Sequence, residues 1–325
     1  MNMGIIAGSR LRGVLKEPNF FIGGVGDEMS NTSEVAAMCD GLSINDIELY
    51  SVDSQKNIKF YVDPLKDFTL SASYFSQYSG QSGYWYAKGW GQKLTYFIDK
   101  DNLIKTVPLT FFMQQRNLNF IKLEGSTTHE QRSFQDVAIK NYRFPNLNDL
   151  NVFQTYRVSP FMERFYAPLL NQWGQTTGQD QLFAQNDPYV NPKKVYYNQV
   201  ASTIDSGNPD GDIVSLTSKG FQGVIPQNTI KPNKVTNIVL SNIGTNSVDI
   251  SFDAPTGSEN TIDFYEIFLI DGSDLNNFKP ITESTTNSLT LSGLESGRNY
   301  LIKVKAADIY WNLSDPETSQ SFTTL

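Results

Sequence analysis

The run from Leu294 to Ala306 constrains this chain more than any other stretch. After a turn carrying Gly297, the residues Tyr300, Ile302, Val304 and Ala306 fall on alternate positions, with Lys303 and Lys305 between them. That is the period of a strand with one face buried and one in water. A leucine six residues ahead of a tyrosine at the mouth of such a strand suits a tyrosine corner, in which the ring fills the core edge and the hydroxyl bonds backbone upstream. Tyr300 is therefore expected to be a fold residue.

Other pieces fall in order around this run: Val248 to Pro255, Phe264 to Leu269, and the closing Ser321-Phe322-Thr323-Thr324. Together they resemble a fibronectin type III domain from about Lys231 to Leu325, less than a third of the chain. Phe252 stands where that family more often places a core tryptophan, and either aromatic fills the space. The loop after Ala306 reads Ala307-Asp308-Ile309-Tyr310-Trp311-Asn312-Leu313 and holds no Arg-Gly-Asp, so integrin-type adhesion is not implied. The resemblance implies a spacer, interaction or display module without catalysis, and a fold alone does not choose among these.

Ahead of it, Ile47 to Glu124 reads as successive short strands: Ile58–Val62, Phe68–Phe75, Lys93–Ile98, Val107–Met113 and Leu118–Leu123. Asp, Asn, Gly and Pro separate them, which argues an antiparallel sandwich or barrel. Asp99-Lys100-Asp101-Asn102 then reads as a solvated hairpin loop. Asn31 to Glu34 caps a short helix through Cys39, ended by Gly41. Thr127 to Ile139 has weak helical spacing, and Ser159-Pro160 reads as a helix start that Pro168 kinks or ends. Gln172 to Asn198 suits an extended arm, and Phe221 to Pro232 a linker. The expected fold is mainly β: a β-rich assembly domain over 1–225, a sandwich or barrel with a few short helices and extended arms, divisible near 126–150. A linker at 226–231 leads to a fibronectin type III-like sandwich over 232–325.

Composition narrows the chemistry. A hydrophobic share of 39% with 13% aromatics supplies a core. A net charge of -8 disfavours nucleic acid, which needs a basic surface to displace counterions. Cys39 is the only cysteine, so there is no intrachain disulfide, and it reads as a small apolar packer. The N-terminal apolar run is short and precedes its charges, which gives the expectation of a cytoplasmic start; no run is long enough to span a membrane.

The candidate sites are few. Between two strands lies Tyr74 to Gln92, in which Tyr84, Trp85, Tyr86 and Trp90 sit among Ser, Gln and Gly. Rings with hydrogen-bonding neighbours suit core packing, a subunit interface or glycan stacking, and all three stay open. Asp205 to Asp212 gathers three carboxylates, but not at EF-hand spacing, so a surface turn is favoured over calcium. Gly23-Gly24-Val25-Gly26 lacks the Lys-Ser/Thr of a phosphate loop. His129, alone in a polar context that reads as exposed, has no Gly-x-Ser-x-Gly or His-Glu-x-x-His companion. No catalytic, metal or cofactor residue is therefore assigned, and the chain is expected not to be an enzyme.

In style, a β-rich, amide-rich body with a terminal fibronectin-like module loosely resembles structural proteins of tailed-bacteriophage virions. The expected function is a tail, baseplate or neck component, assembled in the host cytoplasm into the virion. Its partners would be copies of itself and neighbouring virion proteins, with no nucleic acid and no membrane span. A carbohydrate- or receptor-binding adhesin using surface glycan is the alternative; a glycan-active enzyme with an accessory module is the second.

Overall fold

The structure, a computed structural model, describes residues 16–27, 29–53, 55–71, 93–150, 155–157, 159–170, 183, 189–198, 212–271 and 279–325. Mainly β throughout, with few helices, it pairs an N-terminal β-solenoid-like region with a C-terminal fibronectin type III β-sandwich.

The front of the chain makes an antiparallel cap from β1 (Phe20–Gly23), β2 (Cys39–Asp40), β3 (Ile47–Val52), β4 (Ile58–Val62) and β5 (Thr69–Leu70). Ile58, Phe60 and Val62 point inward on alternate positions of β4, and Phe60 stacks on Phe20 at 4.9 Å. Helix α1 (Thr32–Met38) starts as expected, with the Asn31 side chain accepting from Glu34 N. Gly24 must be glycine: its φ is +83°, and a Cβ there would lie 2.2 Å from the Lys93 carbonyl oxygen.

From β6 (Tyr96–Asp99) onward the pairing turns parallel. The coils supply β7 (Thr106–Val107), β8 (Phe120–Lys122), β9 (Thr128–His129), β10 (Asn141–Arg143), β11 (Asp149–Leu150), β12 (Arg164–Tyr166), β13 (Lys194–Tyr196) and β14 (Gln222–Val224). One parallel sheet runs β10-β12-β13-β14, another β11-β9-β7, and β8 lies parallel to β6. A strand of two or three residues buries little alone, so each coil is stabilised by its neighbours along the stack.

The third side of the coil is a ladder of turns. Phe112 N donates to Ser133 O (2.8 Å) and Phe134 N donates to Thr155 O (3.0 Å). Thr110 and Arg132, and likewise Gln114 and Asp136, hold positive φ at matching places in successive coils. Inside, Phe112, Phe134, Tyr156 and Phe183 stack face to face at 5.2, 5.4 and 5.6 Å. Offset stacking of this kind adds about 0.5–1.5 kcal/mol per pair beyond area burial.

Several expectations change here. The N-terminal β structure is a solenoid-like stack rather than facing antiparallel sheets. Thr127 to Ile139 is strand β9 and a coil corner, not a helix, and Ser159-Pro160 opens a turn into β12. Gln222–Val224, expected in the linker, is the last strand of the parallel sheet. Asp99 is fully buried rather than a solvated loop residue, and its carboxylate accepts from Ile104 N (2.7 Å), tying β6 into the next corner.

The C-terminal sandwich packs β15 (Thr236–Ser241), β16 (Ser247–Asp253) and β19 (Ser288–Ser292) against β17 (Ile262–Asp271), β18 (Thr282–Ser284), β20 (Asn299–Asp308), β21 (Glu317–Thr318) and β22 (Phe322–Thr323). Val248, Ile250, Phe252, Ile267, Ile302 and Val304 form its core. Tyr300 is the expected corner: its ring is buried, and its hydroxyl accepts from Glu295 N at 3.1 Å.

Candidate functional site: the junction between solenoid and sandwich

The loop that follows β20 makes the contact between the two halves. Trp311, almost fully buried, has a φ of +59°, a conformation a bulky residue holds only when its surroundings enforce it. Asp308 enforces it here. Its buried carboxylate accepts from Tyr310 N (2.9 Å), Asn312 N (2.8 Å), Asn312 Nδ2 (3.0 Å) and Asn260 Nδ2 (2.8 Å). Asn260 Nδ2 also donates to Asn228 Oδ1 (2.9 Å) and Asn312 Nδ2 to Asn228 O (3.2 Å), which stitches the connecting segment to the same loop.

Held this way, Trp311 packs on the solenoid's Tyr166 and Tyr196, at 5.9 and 5.6 Å between ring centres, and beside Phe264 of its own sandwich. These residues and Ala307 form an apolar cluster separate from the cores of the two halves. Charged and polar contacts cross between the halves beside it. Arg164, itself buried, bonds both carboxylate oxygens of Glu283 (2.6 and 2.8 Å) and lies 3.9 Å over the Phe264 ring. Lys194 donates to Asp263 (2.7 Å), Asn141 to Glu283 (2.9 Å) and Lys279 to Asn119 (3.0 Å). Both bonds come from the one Arg164 nitrogen Nη1, and a guanidinium that meets a carboxylate at one end and a ring with its face is held in orientation as well as distance.

Beside this seam a cleft of about 790 Å³ opens between the halves. Its solenoid wall carries Lys122, Glu124 and Arg143, and its sandwich wall Glu266, Phe268 and Lys305. Glu266 and Lys305 are register partners on β17 and β20. Burial raises the Glu266 carboxyl above its ordinary range, partly offset by Lys305 and Arg143. Burial likewise lowers the Lys305 amine, opposed by Glu266 and reinforced by Lys122. Deeper along the solenoid wall, burial works to raise the Glu163 carboxyl, but Lys193 (2.6 Å) and Lys140 (3.3 Å) outweigh it and hold it low.

The expected sites fare differently. Tyr84, Trp85, Tyr86, Trp90 and most of Asp205 to Asp212 lie outside the described residues. His129 is not exposed: it is fully buried in the solenoid, against Phe134 and Phe144. Ser126 Oγ spends its proton on Leu123 O (2.7 Å), so it accepts from His129 Nε2 (2.9 Å), and Nδ1 then accepts from Tyr156 OH (2.5 Å). Burial pushes this imidazole down to about 3 and keeps it neutral. Cys39 packs in the cap core as expected, its thiol pushed up to about 12 by burial. Among the described residues no cluster of three or more metal-ligating side chains occurs.

Sequence reasoning passed over the junction. Ala307 to Leu313 attracted notice for the adhesive motif it lacks, whereas its use is as a docking loop. The available signal was Trp311, a large ring in a loop flanked by Asp308 and Asn312.

Comparison with known proteins gives residues 233–320 as a fibronectin type III domain. No curated protein matches the chain. Similar solved structures include consecutive domains of titin (17% identity, 32% of this chain and 35% of that one, TM-score 0.28) and the twitchin kinase region of C. elegans (20%, 29% and 17%, 0.27). A chitinase from Bacillus thuringiensis is similar at 29% identity over 34% of this chain and 16% of its own, TM-score 0.26. The chain thus spans about a third of the first of these structures.

Proposed function

We propose that this chain is a structural component of a tailed-bacteriophage virion, in its tail, baseplate or neck, working by contact with copies of itself and with neighbouring proteins. The observation that carries the reading is the junction: a strained loop, an aromatic cluster and the ion pairs Arg164–Glu283 and Lys194–Asp263 join solenoid and sandwich in one orientation. Parts that transmit position need such joints, whereas a tethered accessory module needs only a flexible linker. The burial of His129 and Cys39 in cores supports a role through shape. The virion setting rests on the mainly β, amide-rich composition and the terminal fibronectin type III module.

Size-exclusion chromatography with light scattering tests the reading. Self-association, or co-elution with a particle protein, is expected; a monomer with neither property contradicts it. Imaging of the parent particle with a labelled copy of the chain then locates it. Secretion of the native protein by itself through an export route would count against the virion setting.

A further inference from the structure

The bare edge of a sheet is a row of unpaired N–H and C=O groups that invites another strand, and proteins ordinarily blunt it. Most edges here are blunted. Strands β3 and β15 carry bulges, between Leu49 and Ser51 and between Thr236 and Val239. Strand β18 is held to the solenoid through Glu283, and the other edges among the described residues are strands of two or three residues. Strand β19 is the exception. Its five residues pair with β16 without a shift in register, and from Thr285 through Leu294 the sequence has neither a charged residue nor a proline. Phe252 N donates to Asn287 O (3.1 Å). By antiparallel alternation, Leu289 and Leu291 then spend their backbone groups on β16, while those of Ser288, Thr290 and Ser292 point to the open edge. All three are exposed. Ser288 O accepts from Thr286 Oγ1 (2.8 Å) and keeps its second lone pair.

We propose that β19 pairs with β19 of a second copy across a two-fold axis at Thr290, joining the two three-stranded sheets into one continuous sheet. The strand itself selects this occupant: Ser288-Leu289-Thr290-Leu291-Ser292 reads the same in both directions. Antiparallel self-pairing therefore sets Thr290 opposite Thr290, Ser288 opposite Ser292 and Leu289 opposite Leu291. The outward residues fall on hydrogen-bonded pairs, each of which exchanges two backbone bonds across the axis. Leu289, half-buried at the rim of the sandwich core, gains Leu291 of the second copy as a neighbour. The carboxylate beside the strand, Asp249, accepts from Thr290 Oγ1 (2.6 Å). It would stand three strand spacings from its own copy, about 14 Å, beyond the screening length of about 8 Å at physiological salt. An unrelated strand has no use for such symmetry, whereas a two-fold contact requires a self-complementary patch. The pairing rests on the reading above, in which copies of the chain meet, and names the surface through which they do so.

Cysteine trapping on the full chain tests the register. The native Cys39 is buried and adds little background. Residues opposed in a hydrogen-bonded pair have Cα atoms about 5.5 Å apart, inside the disulfide range of about 4.4–6.8 Å. With oxidised glutathione, Thr290→Cys is expected to give a covalent dimer. The Ser288→Cys and Ser292→Cys variants are expected to link to each other when mixed, and neither to itself. Ser241→Cys, on the opposite edge, is expected to stay unlinked. Thr290→Pro removes an outward N–H that β16 does not use, a position where an edge strand tolerates proline. It is expected to keep the parental melting temperature while raising the concentration at which light scattering detects a dimer by about tenfold or more. Should it fail to fold, the double variant Ser288→Lys with Ser292→Lys, which opposes like charges across the axis, takes its place. Self-association at parental strength in the edge variant, or equal trapping at position 241, would overturn the assignment to β19 and leave the reading of a self-assembling part intact. A parent chain that stays monomeric would overturn the pairing as well, and the wider reading would then turn on co-elution with a particle protein.

Discussion

His129 shows how a residue's role follows from its surroundings. It is fully buried, its two nitrogens answered by hydroxyls from its own coil and the next. Because its folded pKa lies near 3, below the ordinary 6.5, it favours the folded state above pH 6.5, and that contribution is lost as pH falls toward 3. By linkage the loss amounts to roughly 4–5 kcal/mol. Urea unfolding as a function of pH is expected to show a steep decline across that window, and His129→Leu a flatter one at lower overall stability. Tyr300 belongs to the same scale: Tyr300→Phe removes one hydrogen bond and is expected to cost about 1 kcal/mol, read by chemical denaturation. Tyr300 was legible because the leucine, tyrosine and alternating strand that define it are close in sequence. His129 was not, since Thr127, Thr128, Glu130 and Gln131 look solvated until Tyr156 and Phe144 from the next coil close over the ring.

At the level of elements, the solenoid is stabilised by repetition. Phe134 is an inner member of the stacked column, between Phe112 and Tyr156, so Phe134→Ala removes contacts to the coil on each side at once. A loss of about 3–5 kcal/mol is expected in denaturant unfolding. The matching change at Phe183, which ends the described column, is expected to cost less. Short strands between polar turns announced β structure, but strands of two or three residues do not reveal whether the next one runs parallel. The even spacing of Phe112, Phe134 and Tyr156, repeated by the corner residues Thr110 and Arg132, was the available sign of stacked coils. It is weak because the residues between differ from coil to coil. The sandwich was more readable: β16, β17 and β20 are long enough for their alternation to show.

At the scale of the whole molecule, a role through position requires solenoid and sandwich to move as one body. Trp311 lies outside the sandwich core, so Trp311→Ala is expected to leave both halves folded while freeing them from each other. Scanning calorimetry would then resolve two transitions where the parent chain gives one. Asp308→Ala, which removes four accepted hydrogen bonds, is expected to act in the same direction. The junction was beyond sequence reading because Arg164, Tyr166 and Tyr196 meet Phe264, Glu283 and Trp311 only after both halves have formed. The most direct test is a set of backbone residual dipolar couplings from both halves in a weakly aligned sample. A single alignment tensor is expected to fit the solenoid and the sandwich together in their observed orientation. Two tensors of different magnitude, one for each half, would contradict it.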